Sequence, residues 1–406
     1  MKNKLFYIFS ILVIVHVSNI SGYQSPVIFV PGDGGSQIDA KLNKQSAVHV
    51  FCQKTTSDFF NIWLNLELLV PLVIDCWIDN VKLYYNNETR KTENTPGVET
   101  RIPGWGSPEP VEWLDPSKAS SGAYFKDIGN ALVADGYQRN VSLRGAPYDF
   151  RKAPNENEQW FVDFKELIEE TYSMNNGTPV TIVAHSMGGP MTLVFLQRQI
   201  SEWKNQHIKR FITLAGAWAG SVKAVKVFAM GDDLGSYVLR NSILREEQIS
   251  CPSLSWLLPS PLFWKPNEVM ATTKSRNYTL AQLSEFFDDL EYPQGWEMRK
   301  DNIQYSLNFS PPDVETHCIY GSGIPTVERL MYKKEILDGL PTLINGDGDG
   351  TVNIRSLSAC SVWKTMQDKP VVPIEIAGVD HMTVLKHPDI LNYIHKILKA
   401  DENEIL

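Results

Sequence analysis

Apolar residues in this chain follow two rhythms. Short unbroken runs occupy residues 26–30, 180–184, 211–215, 340–344 and 371–376. Runs of this length, rich in Val and Ile, fit strands buried on both faces. Stretches of helical period lie between them. Residues 124–134 read as one helix. Trp160, Phe161, Phe164, Leu167 and Ile168 line a second, Met191, Val194 and Phe195 a third, and residues 388–398 form a last. A further strand runs through Val141, Leu143 and Arg144. Strands alternating with helices predict an α/β fold around a parallel sheet.

Two stretches depart from this alternation. Residues 59–77 are the most apolar after the N-terminal leader, but Asn65, Glu67, Pro71 and Asp75 exclude a bilayer span. One reading makes them the core of a small subdomain. The other exposes Trp63, Leu66 and Leu69 at a lipid interface, where Trp is favoured; different faces of one helix could serve both. Cys52 and Cys76 bracket the stretch, and a bridge between them would close it into a compact excursion. Residues 86–121, rich in Pro, Gly and charge, read as surface loops. Residues 216–312, with Ser255-Trp256 and Phe263-Trp264, read as a cap or lid inserted between core elements. Their Trp and Leu content suits an apolar substrate and equally an ordinary packed cap.

Candidate chemistry gathers at the ends of the apolar runs. The run from Val180 ends in Ala184-His185-Ser186-Met187-Gly188 and passes into a helix. Strand, sharp turn and helix around a serine match the nucleophile elbow of an α/β-hydrolase, with Ala184 in place of the usual Gly. A Gly-rich connection after any buried strand is the competing reading. An elbow serine needs an acid and a histidine later in the chain, in that order. Asp349, in Gly346-Asp347-Gly348-Asp349-Gly350-Thr351-Val352, supplies the acid, and Val352 re-enters the core behind it; Asp347 is its rival. A calcium loop fits poorly, because the distal Glu is missing. His381 follows the last strand and supplies the base; His387, ahead of Pro388, is its rival. Pro31-Gly32-Asp33-Gly34-Gly35 follows the first strand, where backbone N–H groups could complete an oxyanion hole. Tyr148, Asp149 and Arg151 end near the same edge, as site residues or as a structural turn with a surface ion pair.

Composition narrows the class. Hydrophobic residues at 43% and aromatics at 11% suffice for a large core and exclude disorder. Lys2 and Lys4 ahead of an apolar run to Val17 describe a secretory leader, residues 1–22. Five sequons at Asn87, Asn140, Asn176, Asn277 and Asn308 predict a secreted glycoprotein. No basic patch suggests nucleic acid. The formal charge is −9, and losing Lys2 and Lys4 with the leader takes it to −11. Protonating the seven histidines outside the leader would raise this to about −4, easing approach to anionic membranes in an acidic compartment.

These motifs together resemble the lecithin–cholesterol acyltransferase family, on its lysosomal phospholipase side. The resemblance rests on Val30-Pro31-Gly32-Asp33-Gly34-Gly35-Ser36-Gln37, Ile62-Trp63-Leu64-Asn65-Leu66-Glu67, Asp75-Cys76-Trp77-Ile78-Asp79, Arg144-Gly145-Ala146-Pro147-Tyr148-Asp149, the elbow and the Asp349 loop. It implies an α/β-hydrolase core with a membrane-binding subdomain and a lid. On this plan the core occupies residues 23–50, 116–215 and 313–406, the membrane-binding subdomain 51–115 and the lid 216–312. It implies a Ser186–Asp349–His381 triad, oxyanion donors from the backbone of Asp33 and Met187, and no metal or other cofactor. It implies bridges Cys52–Cys76 and Cys318–Cys360, leaving Cys251 unpaired. The implied reaction moves a fatty acyl chain from a membrane glycerophospholipid to water or to a lipid alcohol such as ceramide, in a monomer of the lysosome or the extracellular space. Gly34-Gly35-Ser36 departs from the commoner Leu-Gly-Asn. A secreted sterol acyltransferase and a silent lipid-binding protein are the alternatives. An unperturbed imidazole titrates at about pH 6.5, so a histidine base favours neutral pH; an acidic optimum needs an opposing group, and the Asp33 side chain beside the oxyanion is the candidate.

Overall fold

The computed structural model describes residues 24–71, 73–234 and 241–403. The expected leader, residues 1–22, lies outside them. Six parallel strands form the central sheet, in the order Val371–Ala377, Thr316–Ser322, Ile208–Leu214, Val180–His185, Val27–Val30, Leu143–Gly145. Side chains alternate between two cores. Ile28, Val30, Ile182 and Ala184 pack on one face with Trp160, Phe164, Ile168, Met191 and Phe195. Val27, Phe29 and Val183 pack on the other with Phe125, Ile128, Leu132, Ile390 and Ile394. Burial on both faces explains why these strands read as unbroken apolar runs. Strand order reverses at Val27–Val30, which has later strands on both sides, and such a switch point opens a crevice at the strand C-termini. This three-layer arrangement is the expected α/β-hydrolase core.

The departures have physical causes. Residues 59–77 are not one helix: strand Phe60–Trp63, the 3-10 turn Leu66–Leu69 and the start of helix Ile74–Val81 share them. The expected loops at 86–121 contain strands Lys91–Asn94 and Val98–Arg101 and a helical turn, Glu109–Glu112. Lys91-Thr92-Glu93-Asn94 buries only Thr92, so no apolar alternation announced it. The run at 340–344 becomes strand Thr342–Gly346 of a second sheet, paired antiparallel with Thr326–Met331, and not a strand of the main sheet. That sheet also takes Val269–Thr272 and Asn277–Thr279, so the inserted region does not close at Pro312 but shares a sheet with residues beyond it. Its own core includes Val225, Phe228, Phe286, Phe287 and Leu330. Cys52–Cys76 and Cys318–Cys360 are bonded, and Cys251 is free and buried. Asn87, Asn140, Asn176, Asn277 and Asn308 are all exposed, as a glycan requires. Among the described residues no helix is long and apolar enough to cross a membrane.

Buried charge ties residues 51–115 to the core. Arg151 is fully buried and grips both Asp149 carboxylate oxygens, at 2.9 and 2.7 Å; the expected surface ion pair is an interior one. Its Nη1 also donates to the Val81 carbonyl at 2.8 Å. Burial would raise the Asp149 pKa, but Arg151 outweighs it and holds the carboxyl below the usual range. Among the described residues Glu247 forms no such ion pair, and Arg151 pulls on it only at longer range. Its carboxyl accepts from the Cys251 thiol at 3.4 Å, and burial pushes it up to about 7. In the unfolded chain the same group titrates near 4.5. Between those values the folded state holds the extra proton, so stability should fall as pH rises through that window, by roughly 3 kcal/mol at about 1.36 per unit. Urea unfolding at pH 5 and 7.5 checks this. Glu247→Gln should flatten the difference; an unchanged difference would remove Glu247 as its source.

Candidate active site

Strand Val180–His185 and helix Gly188–Gln197 meet at Ser186, whose φ is 53°. A side chain costs about 1–3 kcal/mol in such a conformation, and surrounding structure must enforce it. The Ser186 N–H donates to the Leu214 carbonyl at 2.9 Å, and its own carbonyl accepts from Gly189 at 3.0 Å and Ala217 at 3.3 Å. Gly188 allows the approach: a Cβ there would stand 2.4 Å from the Pro31 carbonyl oxygen. Gly32 is as constrained, since a Cβ would meet the Ser186 Cβ at 2.7 Å.

Three side chains from distant parts of the chain form one line of hydrogen bonds. His381 Nε2 lies 2.9 Å from Ser186 Oγ, and its Nδ1 lies 2.6 Å from Asp349 Oδ2. The other Asp349 oxygen accepts from the Thr351 and Val352 N–H groups, at 3.0 and 2.7 Å. Burial would raise the Asp349 pKa, but His381 and these donors outweigh it and hold the carboxyl low. Asp349 is therefore an anion ready to stabilise an imidazolium. Asp347 is exposed and turned to another task, accepting from the Gly323 N–H at 2.6 Å. His387 lies against Asp389, at 3.9 Å, ahead of the C-terminal helix.

Residues 31–36 border the serine. Gly35 N–H closes a turn onto the Gly32 carbonyl at 3.0 Å, leaving Asp33 and Gly34 at its tip. Neither the Asp33 nor the Met187 N–H donates a hydrogen bond within the described residues. Both therefore remain available to a developing oxyanion. Tyr148 braces the loop from below, its hydroxyl donating to the Pro31 carbonyl at 2.9 Å and its N–H to Ser36 Oγ at 3.1 Å. Trp63 braces it from the side, its indole N–H donating to the Gly34 carbonyl at 2.8 Å. The Trp63 ring, half-buried, also packs against Trp77 and Phe150. Leu69 is half-buried, and Leu66 is 38% exposed.

The Asp33 carboxyl has a mixed setting. Its surface area is open, yet protein surrounds it at longer range, so it meets water without a bulk dielectric. This desolvation pushes its pKa up to about 6, against the opposing pull of the Gly34 N–H, Lys223 and His381. Tyr124 and His185 also border the reacting groups, although no sequence motif marks that role. Tyr124 receives the Gly32 N–H at 3.0 Å and meets His185 Nδ1, while His185 Nε2 reaches the His381 carbonyl at 2.9 Å. His185 stood in the elbow motif, but nothing in the sequence links it to a tyrosine before a helix far upstream. Among the described residues no group of three or more His, Cys, Asp or Glu could hold a metal ion.

A model of the lecithin:cholesterol acyltransferase family matches residues 59–391. The chain is 43% identical over 394 residues to the "Lysosomal phospholipase A and acyltransferase" of Homo sapiens, covering 97% of this chain and 95% of that protein. It is 40% identical over 361 residues to the "Phosphatidylcholine-sterol acyltransferase" of Gallus gallus, covering 89% and 87%. Among solved structures, that of a Tle4-Tli4 complex matches with a TM-score of 0.51 at 14% identity, over 93% of this chain and 98% of that one. That last likeness concerns the fold alone.

The geometry separates the two rival acids. Asp349→Asn should slow covalent labelling of Ser186 by a fluorophosphonate by about 10⁴-fold, because it favours the wrong imidazole tautomer. Asp347→Asn should label at close to the wild-type rate. The reverse ranking would show that the acid is Asp347.

Proposed function

The chain belongs to the lecithin:cholesterol acyltransferase family, and from that premise we propose how its phospholipase and acyltransferase activity is carried out. The reading rests on one observation: an elbow serine, a histidine and a buried carboxylate in hydrogen-bond contact beside two uncommitted backbone N–H groups.

His381 takes the Ser186 proton as Oγ attacks the ester carbonyl of a glycerophospholipid. The oxyanion forms against the Asp33 and Met187 N–H groups, each such donor being worth about 3 kcal/mol. Asp349 stabilises the imidazolium. The lysophospholipid oxygen leaves with the His381 proton, and the acyl chain remains on Ser186. His381 then takes a proton from water or from a lipid alcohol, which attacks the acyl-enzyme and releases a fatty acid or a new ester. Ceramide, with a primary hydroxyl on a two-chain lipid, is the proposed acceptor.

The substrate lies in a membrane, and the excursion closed by Cys52–Cys76 offers the means of docking. Within it Leu66 and Val70 are exposed, and immediately ahead of Cys52 the side chains of Val48, Val50 and Phe51 are 51%, 104% and 59% exposed. Apolar tips exposed to this extent are favoured in a lipid interface.

Asp33 sets the working pH. Below about 6 its carboxyl is neutral. Above that value its anion repels the developing oxyanion. That repulsion opposes catalysis at neutral pH and vanishes in an acidic compartment, which suits action in a lysosome.

Two outcomes are expected. Ser186→Ala should bind anionic phospholipid vesicles like the wild type, yet form neither fatty acid nor acylceramide from them. Either product at wild-type yield would exclude a shared acyl-enzyme. Asp33→Asn should keep the fold and extend turnover of a short soluble ester from pH 5 toward neutral pH. An unchanged pH–rate profile would exclude Asp33 as the controlling group.

A further inference from the structure

Three separate loops must stay in register for this chemistry: the turn at Asp33, the elbow at Ser186 and the loop carrying His381. One buried chain of polar groups crosses all three. The Gly32 N–H donates to the Tyr124 hydroxyl oxygen at 3.0 Å. The Tyr124 hydroxyl meets His185 Nδ1, and His185 Nε2 lies 2.9 Å from the His381 carbonyl oxygen. Tyr124 is 4% exposed and His185 1% exposed, so water cannot substitute for a lost partner without entering the core.

The direction of each bond follows from chemistry. A carbonyl oxygen can only accept, so His185 Nε2 carries the proton. Neutral His185 then has a bare Nδ1, which accepts the Tyr124 O–H. The Tyr124 oxygen keeps a lone pair for the Gly32 N–H. Gly32 adjoins Asp33, His185 adjoins Ser186, and His381 is the base itself, so each contact fixes a neighbour of a reacting group. Protonating His185 would turn both nitrogens into donors and break the order. Burial, helped by the nearby His381, prevents this by driving the His185 pKa down to about 3. The relay therefore keeps one direction throughout the acidic range in which an exposed histidine would charge.

We infer that Tyr124 and His185 are positioning residues that hold the oxyanion turn and the His381 loop in register across the elbow. The inference rests on the Ser186 reading above. Neither residue touches substrate, and the Gly32 N–H, being committed to Tyr124, is not a third oxyanion donor.

The test compares kcat and KM for a soluble ester, with thermal melting as a control for folding. Tyr124→Phe keeps the ring and loses both bonds. It should lower kcat on the order of 10- to 100-fold, the effect of displacing reacting groups by about an ångström, with KM little changed. His185→Phe should do the same. His185→Gln keeps an N–H for the His381 carbonyl and should retain most of kcat. Adding Tyr124→Phe to His185→Phe should cost little more than either alone. Wild-type kcat in a folded Tyr124→Phe or His185→Phe would overturn the inference. So would equal losses in His185→Gln and His185→Phe, which would mark packing and not hydrogen bonding. If Tyr124→Phe does not fold, the two His185 variants decide alone. An active Ser186→Ala would instead refute the reading of the site itself.

Discussion

The strained backbone at Ser186 is the constraint on which the rest of the site depends. A φ of 53° points the side chain off the end of the sheet, and the chain holds it there only by crowding. The Leu214 carbonyl, the Pro31 carbonyl and two glycines without side-chain room all press on the same turn. The parallel register makes this possible, because Val30 pairs with Ala184 and brings the ends of two strands level. The serine and the Asp33 turn are neighbours for that reason, although more than 150 positions separate them in the chain. His381 and Asp349 arrive from later strands and lock to each other twice, by side chains and by the His381 N–H to the Asp349 carbonyl at 2.9 Å.

Electrostatics adds a second layer to this geometry. The carboxyls in and beside the site fall into two classes, decided by whether a partner outweighs desolvation. Asp349 and Asp149 have His381 and Arg151 against them and stay ionised. At Asp33 and Glu247 desolvation outweighs the nearby cations and raises them to about 6 and about 7. The first class keeps the machinery charged where charge is needed. The second is neutral only below those values; this links stability, and on the proposed reading activity, to low pH. His185 completes the contrast: burial keeps this base uncharged where it serves as a fixed hydrogen-bonding post.

Much of this was legible in the sequence, and the reasons are specific. Strands buried on both faces leave unbroken apolar runs, so the Val27, Val180 and Ile208 strands announced themselves. The elbow is readable because its turn demands small residues at fixed offsets around a serine. Asp349 and His381 followed from chain order after that serine. Polar strands such as Lys91–Asn94 carry no such signal, because a single buried threonine sets no period. Trp63 illustrates a second limit. A tryptophan in an apolar stretch suits a membrane edge or an active-site wall equally well, and the bond to the Gly34 carbonyl that ties it to the site appears only in the fold. Tyr124 illustrates a third, since its role exists only through partners at 32 and 185, distant from it in sequence.

A single acyl-enzyme on Ser186, shared by hydrolysis and transfer, can be observed directly by mixing the enzyme with phospholipid vesicles at pH 5, quenching in acid within the first turnover and mapping peptides by mass spectrometry. A fatty acyl adduct is expected on the peptide containing Ser186, one that decays faster when ceramide is present. An adduct on any other residue, or a decay that ceramide leaves unchanged while acylceramide accumulates, would contradict it.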